Sequence, residues 1–150
     1  MPEYEKITFE NGFRLLLSED GRAKSCSMGV WVGSGSCYES DDTAGISHFI
    51  EHMVFKGTKE KNATALADEM DRLGGATNAF TAKESTCFYT KVMDEHLERG
   101  ISLLADLLLR PEFPQDDLER EKGVVIEEIA MCEDNPEDLV HELLSDAQYQ

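Results

Sequence analysis

Basic side chains are few: 14 lysines and arginines stand against 31 aspartates and glutamates, and histidine occurs only 4 times in 150 residues. The resulting net charge of -17 repels phosphate backbones and anionic lipid, so neither nucleic acid nor a membrane surface is an expected partner. Such acidity reads first as a well-solvated surface, and more sharply as an acidic cavity that attracts cationic peptides. Cysteine is sparse too. Cys26, Cys37, Cys87 and Cys132 contain no C-x-x-C pair, which excludes a zinc ribbon and a disulfide framework and leads us to expect reduced thiols in the cytoplasm. No apolar run is long. The cluster at 103–109 is interrupted by Asp106 and far too short to span a bilayer, and the opening Met-Pro-Glu-Tyr-Glu-Lys has neither a signal core nor an Arg-rich amphipathic pattern.

What is present suits one domain with a sizeable core, since 41% of residues are hydrophobic. Strands are expected at 6–10, at 13–18 after the Asn11-Gly12 turn, and at 25–32, forming together a small antiparallel sheet. Gly33-Ser34-Gly35-Ser36 lacks the Gly-Lys-Ser/Thr continuation of a phosphate loop and reads as a turn. Helices follow at 44–55 and 63–73, the second closed by Gly74-Gly75, then strands at 76–81 and 85–92. Asp94 is the expected N-cap of a helix to residue 109, and a further helix spans 115–133. A last one starts at Asp134-Asn135-Pro136 and is still amphipathic at Tyr149-Gln150 without a cap, as if cut from something longer. Strands and helices that do not alternate regularly predict an α+β fold, with helices packed on one face of an antiparallel sheet.

Two of the scarce histidines fall four residues apart in the first helix, in His48-Phe49-Ile50-Glu51-His52. At 3.6 residues per turn positions 48, 51 and 52 share one face, so two imidazoles can point at a single ion with a carboxylate beside it. This is the H-x-x-E-H signature of inverzincins. Zinc at a catalytic site takes three protein ligands and a water, and brings that water's pKa to about 7 so that a carboxylate such as Glu51 can accept its proton. The competing reading is a solvated helix face with two stray histidines.

A third ligand is therefore needed. On the 115–133 helix, Leu118, Val125, Ile129 and Cys132 share a face, and Glu121 and Glu128 fall in that same apolar stripe, whereas Glu127 projects to the opposite side. A carboxylate facing a core without a partner costs several kcal/mol, of the order of a lost buried charge pair, and a cation removes that cost. Glu128 is thus the expected third ligand, with Glu121 orienting a histidine or the ligand itself. The alternative for Glu121 is a residue at the stripe's edge that reaches solvent or a basic partner. His141-Glu142-Leu143-Leu144-Ser145 imitates H-E-x-x-H but lacks the second histidine, and His96 and His141 read as surface or capping residues.

These residues, together with "ITFENGFRLLLSED", "VWVGSGSCYES", "AGISHFIEHMVFKGT", "LGGATNAFTAKESTCFY", "LLLRPEF" and "EREKGVVIEEI" in that order, make the chain resemble the pitrilysin and insulinase family of zinc metallopeptidases, which includes the mitochondrial processing peptidase. The resemblance covers nearly the whole chain. It implies zinc on His48, His52 and Glu128, Glu51 as general base, Glu121 as a further essential glutamate, and peptide bonds of extended or unfolded peptides as substrate. Asn78-Ala79-Phe80-Thr81 looks like the family's active-site edge strand, which pairs with the substrate by β-augmentation. It further implies that residues 1–150 are one N-terminal metallopeptidase segment, truncated at its C-terminal end. A second homologous half or an oligomeric partner that closes a chamber over the zinc would lie outside it. A non-catalytic peptide-binding or assembly subunit on the same scaffold is the alternative, against which the intact motif counts. A lyase of the S-ribosylhomocysteine type would need a cysteine ligand, and none of the four has a matching context.

Overall fold

The computed structural model describes residues 4–149. Its first element is a hairpin of β1 (Glu5–Thr8) and β2 (Arg14–Leu17), turned at Gly12, where φ is 85°. The expected continuation of this hairpin into β3 (Ser25–Val32) does not occur. The hairpin is a sheet of its own, and β3 pairs instead with β5 (Thr86–Met93), which pairs in turn with β4 (Ala76–Thr81), giving the antiparallel order β3-β5-β4. Both β3 and β5 have eight residues and pair along their whole length, from Ser25 opposite Met93 to Val32 opposite Thr86. That long register outcompetes local succession, because the inward positions of β5 are almost all buried and need a partner strand on either side.

One face of this sheet carries the helices, as expected for an α+β layer. The chain continues from β3 through short helical turns into α1 (Ile46–Met53) and α2 (Ala63–Arg72), and after β5 into α3 (Leu97–Leu109). Leu66, Leu73, Val92, Leu103 and Leu107 form one buried cluster, and Val54, Ala79, Phe88 and Leu104 another, with Met28 and Phe55 packed against both. Each such side chain contributes roughly 1.5–3 kcal/mol by leaving water. The opposite face is open, with Trp31 and Phe80 in an edge-on pair 5.5 Å apart and Tyr89 next to Phe80.

The Gly74-Gly75 pair does more than close α2. Gly74 takes the left-handed conformation at φ 65° after the cap residue Leu73, while a Cβ on Gly75 would lie 1.6 Å from the Lys91 carbonyl oxygen, so only glycine lets β4 start against β5. The expected cap at Asp94 is corrected. A short helical turn over Asp94–His96 precedes α3, whose cap position is His96, and the Asp94 carboxylate takes the neighbouring Glu95 N–H and lies 3.9 Å from Lys24 Nζ.

The last two helices, α4 (Gln115–Asp134) and α5 (Pro136–Tyr149), pack on each other. Along α4, Leu118 and Val125 are half-buried and Glu121 buried, but Ile129 and Cys132, expected on the same inward face, are exposed. The helix meets α1 on the side that carries Glu121 and Glu128, and Ile129 and Cys132, further along, stay exposed although they share the apolar periodicity. Among the described residues no helix is long and apolar enough to cross a membrane. The expected uncapped end at Gln150 lies outside the described residues.

Candidate metal centre

Helix α1 is anchored at its start by a side chain from the segment just before it. The Glu39 carboxylate accepts from Gly45 N at 2.6 Å and Ser47 N at 2.8 Å, meeting backbone donors that a helix start leaves unpaired. Hydrogen bonds from Ser47 and then Gly45 hold the Glu39 carboxyl below its ordinary range.

Further along, His48 and His52 stand one turn apart with their rings nearly perpendicular and Nε2 atoms 3.2 Å from each other. From α4, Glu128 Oε2 approaches to 3.4 Å from His52 Nε2 and 3.8 Å from His48 Nε2. Three lone-pair atoms from two helices thus make a small triangle. Zinc bonded at about 2.0–2.1 Å in a tetrahedron sets ligand atoms about 3.3–3.5 Å apart, close to the edges of this triangle. These are also the described residues that could hold a metal together, with all three donor atoms within 4.8 Å. The donor set, two imidazoles and a carboxylate, therefore fits zinc, and the exposure of His48 and Glu128, 42% and 44% of their side chains, leaves one side open to water.

The supporting contacts settle which ring atom of His52 faces the triangle. Glu121 Oε1 lies 2.9 Å from His52 Nδ1, so an Nδ1–H donating to this carboxylate leaves Nε2 with a free lone pair. Glu121 is only 6% exposed and takes Lys56 Nζ at 2.7 Å on its other oxygen. Burial alone would raise its pKa, but the hydrogen bonds from Lys56 and His52 and the charge of Lys56 outweigh it and hold the carboxyl below its ordinary range. Of the edge-of-stripe alternative for Glu121, the basic partner is present in Lys56, while the reach to solvent is not: the carboxylate is buried and also lies beside His52.

Glu51, between the two histidines, does not join the triangle. Its Oε2 accepts the Thr81 hydroxyl at 2.6 Å. The segment of Thr81 is β4, an edge strand whose far side carries no described partner. Asn78 and Phe80 are exposed, Ala79 is buried and Thr81 half-buried, and the Ala79 N–H is met by the side-chain oxygen of Asn78 at 2.9 Å. Glu127 is exposed and His141 likewise. A surface hollow of about 450 Å³ lies elsewhere, between residues 56–64 and the start of α4. It holds none of the three donors, so convergent chemistry and not concavity marks the centre.

Sequence reasoning missed Lys56 and Glu39, and named Thr81 only as part of the edge strand. Lys56 lies one turn beyond His52 and its position was readable from helical spacing. The bond from Thr81 to Glu51 joins positions 30 residues apart, for which no local signal exists.

An antiparallel sheet that sets an inverted His-x-x-Glu-His helix against a glutamate from a later helix defines an inverzincin-type scaffold. Residues 14–150 match the family described as Insulinase (Peptidase family M16), and the chain belongs to that family. It is 48% identical over 145 residues to the uncharacterized zinc protease YmxG of Bacillus subtilis (strain 168), covering 97% of this chain and 36% of that protein. It is 36% identical over 150 residues to the mitochondrial-processing peptidase subunit beta of Bos taurus, covering 100% of this chain and 30% of that protein. A crystal structure of a protease from Helicobacter pylori superposes with a TM-score of 0.85 at 26% identity, over 92% of this chain and 34% of that one. The chain spans about a third of the length of these relatives.

Proposed function

We propose that the protein is a zinc-dependent metalloendopeptidase that hydrolyses peptide bonds in extended or unfolded peptides. One observation carries this reading: the triangle of His48 Nε2, His52 Nε2 and Glu128 Oε2, whose edges suit zinc. Held there, zinc would supply Lewis acidity, making a water acidic at neutral pH and polarising a carbonyl. Glu51 takes a proton from the attacking water and returns it to the departing amine nitrogen as the C–N bond breaks. Glu121 keeps His52 in the tautomer that presents Nε2, and Lys56 balances the buried charge of Glu121. The free edge of β4, through the backbone of Asn78, Ala79, Phe80 and Thr81, pairs with the substrate chain, a mode that needs extended peptides and reads few side chains.

A second homologous domain or a further subunit would close a chamber over the centre. In support, the chain covers about a third of its relatives, and one of these is named as a beta subunit. Free Cys26, Cys37, Cys87 and Cys132 favour a reducing, cytoplasmic setting. The intact His-x-x-Glu-His motif, with Glu128 close to both histidines, counts against the role of a non-catalytic subunit. Metal analysis of the purified protein should return one zinc per chain, and Glu51→Gln should keep that zinc while losing at least about a hundredfold in cleavage of a quenched peptide. Absence of zinc, together with full activity of the variant, would refute the reading.

A further inference from the structure

Glu51 has a single anchor. Among the described residues no other hydrogen bond or ion pair holds its carboxylate, so the 2.6 Å bond from Thr81 Oγ1 alone decides where the acid group points. The donor is well placed to do so. Thr81 ends β4 opposite Thr86 of β5, and Thr86 is buried and fixed by its own hydroxyl to the Ser34 carbonyl at 2.9 Å. Two residues back on the same side of the strand, Ala79 is buried in the cluster that contains Val54, the residue after α1. Strand β4 and helix α1 are thus packed together, and the Thr81 hydroxyl spans the join at the level of Glu51.

Resting on the reading of Glu51 as proton acceptor, we propose that Thr81 is the positioning residue of that carboxylate. Its hydroxyl holds Oε2, and Oε1 has no hydrogen-bond partner among the described residues, so the orientation of the acid group is set from β4. Because Thr81 belongs to the strand proposed to pair with the peptide, the same element that aligns the substrate also aims the base. Thr81 therefore acts through Glu51, and its side chain is not a substrate contact.

The test uses Thr81→Val, which keeps the β-branched shape and strand propensity but removes the hydroxyl, and Thr81→Ser, which keeps the hydroxyl. Both are made in the full-length protein and assayed with a quenched peptide, alongside zinc content and a crystal structure of each. Thr81→Val should keep its zinc and its KM within about twofold, lose roughly tenfold in kcat as expected for one hydrogen bond to a charged group, and show Glu51 displaced or spread over several positions. Thr81→Ser should restore kcat to within about twofold. If Thr81→Val proves unstable, Thr81→Ala set against Thr81→Ser carries the same comparison. An unmoved Glu51 with unchanged kcat in the hydroxyl-free variant, or an equal loss in Thr81→Ser, overturns the assignment. Should Glu51→Gln abolish cleavage while Thr81→Val does not, only the role of Thr81 falls; should Glu51→Gln remain fully active, both readings fall together.

Discussion

Glu121 sits beneath the candidate ligands with a cation on one oxygen and an imidazole on the other. Glu121→Gln keeps the shape but weakens the hold on His52 and leaves Lys56 less well paired, so we expect zinc affinity to fall about 10–100-fold, measured by competition with a chromogenic chelator. A second buried carboxylate serves structure alone. Asp106, 2% exposed, accepts Thr58 Oγ1 at 3.0 Å and Lys61 Nζ at 3.2 Å on Oδ2, while Arg110 Nε lies 2.9 Å from Oδ1 as a charge contact without hydrogen-bond alignment. Burial would raise its pKa, but Thr58, Lys61 and Arg110 outweigh this and lower it. A carboxyl whose folded pKa is depressed adds stability above its ordinary value, about 3.9, and loses it as pH falls through the folded value. Asp106→Asn should accordingly cost roughly 2–3 kcal/mol near neutrality, by urea denaturation, with the gap to the parent narrowing below about pH 4.

At the scale of elements, Gly75 is the tightest constraint. Any side chain there meets the Lys91 carbonyl, so Gly75→Ala must push β4 away from β5, and we expect a loss of more than about 2 kcal/mol in thermal or urea unfolding. A loss under 0.5 kcal/mol, about that of an ordinary surface change, would show that the strand start yields freely. Most elements were legible because each carries its own periodicity or punctuation: β4 and α2 begin where they were expected, and α4 starts at Gln115. The pairing of β3 with β5 was not, since partner choice between strands depends on contacts more than fifty residues apart. For the centre, the four-residue spacing of His48 and His52 and the stripe position of Glu128 were readable, and the structure brings these groups together. The hydroxyl on Glu51 was invisible, because one hydrogen bond between distant segments leaves no pattern along a chain, and the anchor at Glu39 follows none of the usual capping spacings. Periodicity also misled at Ile129 and Cys132, which share the apolar spacing of α4 and yet are exposed.

For the whole molecule, the charge of -17 acts beyond any single contact. Net negative charge of this size would raise the local concentration of cationic chains, and salt would screen this over a Debye length of about 8–10 Å. The complete protein should therefore cleave a basic peptide faster than a neutral one of equal length, with the advantage shrinking between about 50 and 500 mM salt; a salt-independent ratio would argue for a merely solvated surface.

A strand left unpaired on one side is also an invitation to unwanted self-association, because its backbone groups template any extended chain that arrives. β4 is six residues long, and Asn78 folds its own amide oxygen onto the Ala79 N–H. That internal cap must be displaced before anything docks, which discourages fibre-like stacking between copies while leaving the edge open to a visitor that binds well enough to replace it.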